Sequence, residues 1–311
     1  MDKEKIIQGN TFGEGDEYVQ SANAMFHFMN QSNYLFQAIE RKALVPRYCI
    51  EDVSYLGINL NGKQTNEVGI LQKCFCDMPF HNLTNSFHIS IDEEDRKGLT
   101  QSDKEEVKCY NTHTSFYGEY AIAFSKKWGE NNRLQPVHYL NIQSNFVKSK
   151  SEYLEYLFEI EDLDEQHYNN IITELSFIKP LRGKMERRLR TGRVIHCRKN
   201  FHDEKEWRYI PDSEVLKEVD LEKIIVYPDI LESKIAINSM LEEKQYKRIW
   251  LKFNYEDIKY IIVPNINDRL ELIKTINSLT NDKFNGRSSV EEQKLILISK
   301  ILVLNEIRGD W

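Results

Sequence analysis

The residues best placed to do chemistry are Glu204-Lys-Glu206-Trp-Arg-Tyr209, where two carboxylates stand two apart at the start of an extended segment. Residues two apart on a strand share a face. Glu204 and Glu206 are therefore expected in one cleft, with Lys205 and Trp207 pointing away, an arrangement suited to holding a ribose hydroxyl and an incoming nucleophile or base at once. The same spacing is common on solvent-facing charged strand ends, so its context decides its meaning. Phe26-His27-Phe28 lies early in the chain, and His113-Thr-Ser-Phe-Tyr117-Gly118 stands just before the apolar run Tyr120 to Phe124. Such a histidine is also ordinary in a hydrogen-bonded core. Arg182, Lys184, Arg187, Arg188, Arg190 and Arg193 crowd one stretch that holds a single acid, Glu186. They can bind phosphate or a nucleic-acid backbone, or form a solvated connector paired with the acidic helix at 151–165.

These side chains must be carried by a mixture of strands and helices. Alternating aromatic and β-branched residues predict strands at 117–124 and 137–142, separated by a turn at Gly129 to Arg133, and again at 193–199, 206–210, 223–227, 249–253 and 260–263. Helical spacing predicts helices at 32–44, with Ser32 as N-cap, at 151–177, near 231–243 and at 267–279. Residues 53–71 read as looping, and the acidic stretch 91–106 as a surface loop. A last helix opens at a capping box, Ser289 with Glu292, and its apolar run to Leu304 covers more than one face, to dock on the main body or on a partner or second copy. There is no sustained βαβ alternation and no glycine-rich phosphate loop. The expected class is α+β with a split, mostly antiparallel sheet: a polar segment 1–22, one domain at 23–280, and a C-terminal helix within 281–311.

The 311 residues are 41% apolar and 29% charged, the composition of a folded protein. A net charge of −7 argues against a general electrostatic grip on nucleic acid or membrane. Without a long apolar run or a secretory h-region the expected location is cytoplasmic. Cys49, Cys74, Cys76, Cys109 and Cys197 contain no CxxC pair and read as reduced thiols, with no metal site expected.

The order of features, an early His, a Tyr-Gly opening a middle strand and an E-x-E opening a late one, resembles the H-Y-E signature of the ADP-ribosyltransferase fold, whose strands line an NAD cleft. The runs Cys74-Phe-Cys-Asp-Met-Pro79, Phe116 to Phe124 with Lys127-Trp128-Gly129, Pro136-Val137, Phe201 to Tyr209 and Ile258 to Val263 resemble the AbiGi family of phage resistance. That resemblance covers roughly residues 25 to 275 and implies antiphage abortive infection within a toxin–antitoxin pair. A weaker similarity runs to DarT-like transferases through His27-Phe28 and Leu44-Val-Pro46. It implies NAD as substrate: His27 on the ribose and amide, Tyr117 with Gly118 at the nicotinamide, Glu206 on the ribose beside developing positive charge, and Glu204 orienting the acceptor. The implied activity is an ADP-ribosyltransferase or NAD glycohydrolase acting on nucleic acid or protein. The competing expectation is a non-catalytic antitoxin that neutralises a partner toxin by binding.

Overall fold

A computed structural model describes residues 22–60, 63–85, 89–160, 163–225, 233–285 and 288–310. All but the last residue of the segment 1–22 lies outside them. The chain is a mixed α+β structure built on a mostly antiparallel sheet. The strands that matter for the site are β1 (Ala24–Met29), β2 (Arg47–Asp52), β3 (Glu67–Asp77), β4 (Tyr120–Ser125), β5 (Gln135–Pro136), β6 (Arg182–Arg188), β7 (Val194–Asn200), β8 (Glu206–Tyr209), β9 (Ile224–Ile225), β10 (Ile258–Val263) and β11 (Ile301–Val303). The main sheet runs β11-β10-β4-β1-β3-β8-β5, and only β10 with β11 is parallel. The C-terminal half of β3 lies between β1 and β8, while its N-terminal half lies between β2 and β9. β6 and β7 form an antiparallel hairpin in a separate sheet.

Register decides which side chains meet. Phe26, Cys76, Ala123 and Glu206 form one row across β1, β3, β4 and β8. The adjacent row is His27, Ile122, Phe75 and Trp207. Successive residues alternate, so the two rows point to opposite faces. The face holding Phe75, Ile122 and Trp207 is covered by Leu35, Ala38 and Ile39 of the helix Ser32–Arg41, Leu272 and Ile276 of Ile266–Ser278, and Leu297 of Val290–Ser299. The other face carries Phe26, Cys76, Ala121 and Ala123 under Leu83 and Leu304.

Local chemistry moved several expected boundaries. Ser32 is the first helical residue rather than the cap; Gln31 holds the cap position and the helix stops at left-handed Lys42. The strand expected from Tyr117 starts at Tyr120, because a capping box of Thr112 and Ser115 winds His113–Tyr117 into a helix. Ser125 caps a further helix, Lys126–Asn131, where a turn was expected. The loop at 53–71 ends early, since β3 begins at Glu67 and takes Gly69 into its ladder. The acidic stretch is not a loop: it folds as Glu93–Lys97 and Gln101–Cys109, the second opened by a Thr100–Asp103 capping box. The region 151–177 is two helices, Asn145–Phe158 and Glu165–Ser176. The strand expected at 223–227 is seen as β9, its remainder lying outside the described residues, and the helix near 231–243 spans Lys234–Met240. At the C-terminus the Ser289–Glu292 capping box forms, but the helix ends at Ser299, Ile301–Val303 becomes edge strand β11, and Leu304–Asp310 is a separate helix. The broad apolar run is thus divided between a helix and an edge strand: Leu297, Ile301, Val303 and Leu304 are buried, while Leu295 and Ile296 remain exposed.

Candidate functional site

Tyr117, Glu204 and Glu206 come together on the face of the sheet that carries Phe26. Tyr117 closes its short helix at Gly118, whose φ of 139° brings the backbone against β1: a Cβ there would sit 2.1 Å from the Met29 carbonyl oxygen. Gly118 is therefore required by the chain's own path. Glu204 ends the 3-10 turn Phe201–Glu204, Lys205 is left-handed at φ 44°, and Glu206 opens β8. The two carboxylates do meet, but through this left-handed link rather than the extended chain that the spacing suggested.

What joins them is Lys179, from the strand Ile178–Pro180, whose Nζ lies 3.3 Å from Glu204 Oε2, 3.1 Å from Glu206 Oε2 and 3.8 Å from Glu51 Oε2. Arg208, wholly buried two residues along β8, donates from Nε to Glu206 Oε1 at 2.8 Å, from Nη2 to Glu206 Oε2 at 3.2 Å and to Glu51 Oε1 at 2.8 Å. Its Nη1 donates to the Ser176 carbonyl at 2.8 Å. Lys199 of β7 donates to Glu204 Oε1 and to the Tyr117 hydroxyl, which in turn donates to Glu204. Three cations thus face three carboxylates, and each oxygen of Glu204 and Glu206 has a donor. Buried charges persist only when paired in this way.

The protonation states follow. Burial pushes the Glu206 carboxyl up, but Arg208 and Lys179 outweigh it and hold the group well below the usual carboxylate range. Glu204 is likewise lowered against its burial by Lys179 and Lys199. Burial and the Glu204 charge push Tyr117 well above its ordinary value, so the phenol stays protonated. Lys199 is lowered, chiefly by burial, with Glu204 opposing. His113, packed at a tilt between Phe28 and Tyr117, is pushed down to about 3 by burial and by Lys199, and is neutral.

His27 does not join the cluster. Its row faces the opposite side of the sheet, where the ring packs on Phe75 and Nδ1 pairs with the Cys74 carbonyl at 2.9 Å. Burial, with Lys73 nearby, lowers its pKa well below the ordinary value.

The basic segment forms the hairpin strand β6 and its turn. Arg182, Lys184 and Arg188 project to solvent, whereas Arg187 points inward, its guanidinium 5.1 and 5.2 Å from the Tyr110 and Phe116 ring centres. Among the described residues its acidic partners are not those of the helix at 151–165. Lys184 pairs with Asp92 at 2.7 Å, Arg193 with Asp103 at 3.7 Å, and the Arg190 N–H bonds Glu106 at 2.9 Å, all in the stretch expected to be a loop. Among the described residues no group of His, Cys, Asp and Glu is placed to hold a metal, and no helix is long and apolar enough to cross a membrane.

Arg208, Lys179, Lys199 and Glu51 were not singled out from the sequence. Arg208 was within reach, since it stands two residues along the extended strand from Glu206 and so shares its face. The others arrive from strands whose pairing no local pattern reveals.

The family model described as abortive phage resistance protein AbiGi, antitoxin, matches residues 104–264, which include Tyr117, Glu204, Glu206 and Arg208. A relative from Lactococcus lactis subsp. cremoris, the abortive phage resistance protein AbiGi, is 34% identical over 283 residues, spanning 86% of this chain and 100% of the relative. No solved structure matches.

Proposed function

The chain belongs to the AbiGi family of abortive phage resistance proteins, and on that premise we propose that it acts in antiphage defence as an antitoxin that neutralises a partner toxin by binding. The observation that carries this reading is that every oxygen of Glu204 and Glu206 is already engaged by the protein's own donors. A carboxylate that stabilises a developing ribosyl cation must present an oxygen to the substrate. Here the protein's own Arg208, Lys179, Lys199 and Tyr117 take every one. Expressing the chain alone should leave growth unchanged, and it should rescue cells arrested by a toxin from its own genomic neighbourhood. Growth arrest by the chain alone would overturn the proposal.

A second reading keeps an ADP-ribosyltransferase-like fold with NAD as substrate, acting on a nucleic-acid or protein acceptor. It is favoured by the convergence of Tyr117, Glu204 and Glu206 from separate elements, with His27 left out of the reaction. Nicotinamide release from NAD, present in the native protein and lost in Glu206→Gln, would establish it. Silence in both, with phage-infected extract added, would remove it.

A further inference from the structure

A cavity of about 450 Å³ lies apart from the Glu204–Glu206 cluster, between the helix Lys126–Asn131 and the stretch that continues the strand Leu251–Lys252. That volume falls in the range of small-molecule sites. Neighbouring residues of the helix take opposite roles. Lys126 turns inward and pairs with Asp77 at 2.6 Å, both nearly buried, and Trp128 stacks on Phe124 with ring centres 4.0 Å apart. The helix is held so close to the sheet that a Cβ on Gly129 would sit 2.2 Å from Met25 Cε. Lys127, between these anchors, is left exposed at the cavity. On the other wall Leu251 and Lys252 pair with Leu44 and Ala43, and the Phe253 N–H donates to the Lys42 carbonyl at 3.0 Å. Lys252 is thereby presented, exposed, at the same cavity.

The donors on these walls have no acceptor of their own. Among the described residues neither Lys127 nor Lys252 has a carboxylate within ion-pair distance, and neither the Asn131 side chain nor the indole N–H of Trp128, a side chain only 7% exposed, makes a hydrogen bond. Two unpaired cations therefore line one cavity of a chain whose net charge is −7. A cleft lined by one sign of charge focuses its field and concentrates the opposite ion. Lysine meets phosphate as a point charge, and an indole can only donate. The single carboxylate on the walls, Asp257, does not cancel this field. Its Oδ2 accepts from the Asn254 N–H at 2.6 Å, and its charge bears on Lys300, outside the cavity, whose pKa burial lowers and Asp257 raises. Asp257 Oδ1 and the Asn131 amide oxygen remain open to accept from hydroxyl groups, and the cavity is far larger than a phosphate ion alone requires.

We propose that this cavity binds a small hydroxyl-bearing phosphate monoester, its phosphate held by Lys127 and Lys252. Calorimetric titration of the full chain at low salt with adenosine monophosphate and with ribose 5-phosphate should show a dissociation constant below about 1 mM for at least one of the two. Adenosine, which lacks the phosphate, and inorganic phosphate, which lacks the hydroxyl-bearing body, should each bind at least about tenfold more weakly. Lys127→Gln and Lys252→Gln should each raise the dissociation constant by about threefold to tenfold. Both side chains are exposed, so the melting temperature should stay unchanged and a loss of affinity is not a loss of fold. Lys148→Gln, at an exposed lysine outside the cavity, should bind as the native protein does. Raising the salt from about 50 to about 500 mM should weaken ester binding, since the contacts are open to screening. Neither ester binding at up to about 10 mM, adenosine or inorganic phosphate binding as tightly as the better ester, or an affinity unchanged in either lysine variant would overturn the proposal.

Discussion

Arg208→Met tests whether the buried cluster holds the fold together through charge. Methionine keeps most of the arginine stem, so the change removes the guanidinium with little loss of packing. Four hydrogen bonds disappear, at 2.8, 2.8, 3.2 and 2.8 Å, and Glu206 and Glu51 stay buried with Lys179 as their remaining cation. Removing one partner from a buried ion pair typically destabilises by about 3 to 5 kcal/mol. At about 2 to 4 °C per kcal/mol for a domain of comparable size, the melting temperature should fall by about 10 °C at pH 7. The pH dependence has a definite sign. In the native protein Glu206 is lowered despite its burial, chiefly by Arg208, so its stabilisation is complete above the unfolded carboxylate value of about 4.3 and fades as the pH drops below it. Without Arg208 burial dominates, the carboxyl shifts up, and protonation relieves the variant at low pH. The gap in melting temperature should therefore narrow from pH 7 to pH 4. Glu206→Gln combined with Arg208→Met should recover part of the loss, because Glu206 is then no longer a stranded anion and Lys179 is left to Glu204 and Glu51. A gap below about 1 kcal/mol, or one that does not change with pH, would refute the charge argument.

Two further outcomes check the local geometry by chemical denaturation. Gly118→Ala should destabilise by about 3 kcal/mol or more, whereas Gly57→Ala, also at positive φ but with nothing within 4 Å of the added carbon, should lose only about 1 kcal/mol; equal losses would contradict the close approach to Met29. Arg187→Glu should destabilise by about 2 kcal/mol through lost stacking on Tyr110 and Phe116, while exposed Arg190→Glu should change stability by less than about 0.5 kcal/mol, and indistinguishable midpoints would show that the hairpin is merely a charged surface.

How far the site was legible depended on the range of the forces that fix each residue. The pairing of Glu204 with Glu206 and the strand at Glu206 were visible because local sequence carries them. Tyr117 was placed beside the right strand but in the wrong element, since the Thr112–Ser115 cap outcompeted the β-propensity of the run that follows. The aromatic neighbours that drew attention to His27, Phe26 and Phe28, share the face opposite its own. Only the register of β1 against β3 and β4 shows that it shares a face with Phe75 and not with Glu206. The basic hairpin was read as a patch because its counter-ions, Asp92, Asp103 and Glu106, sit on helices some 80 or more residues away in sequence.

The same limit of range explains why the cluster changes the functional reading. From sequence, Glu204 and Glu206 are two carboxylates awaiting a ligand. In the fold, Lys179 reaches them from a strand paired in parallel with His138–Leu140, Lys199 from the hairpin, and Arg208 from β8 itself. Each was unremarkable alone. Together they balance the acids, so a ligand that engaged Glu206 would compete with Arg208 and Lys179 inside a buried cluster. Breaking such a pair loses several kcal/mol before a new contact forms. A binding surface elsewhere on the molecule carries no such penalty. That difference, rather than the presence of the motif, is why we propose binding of a toxin over catalysis at Glu206.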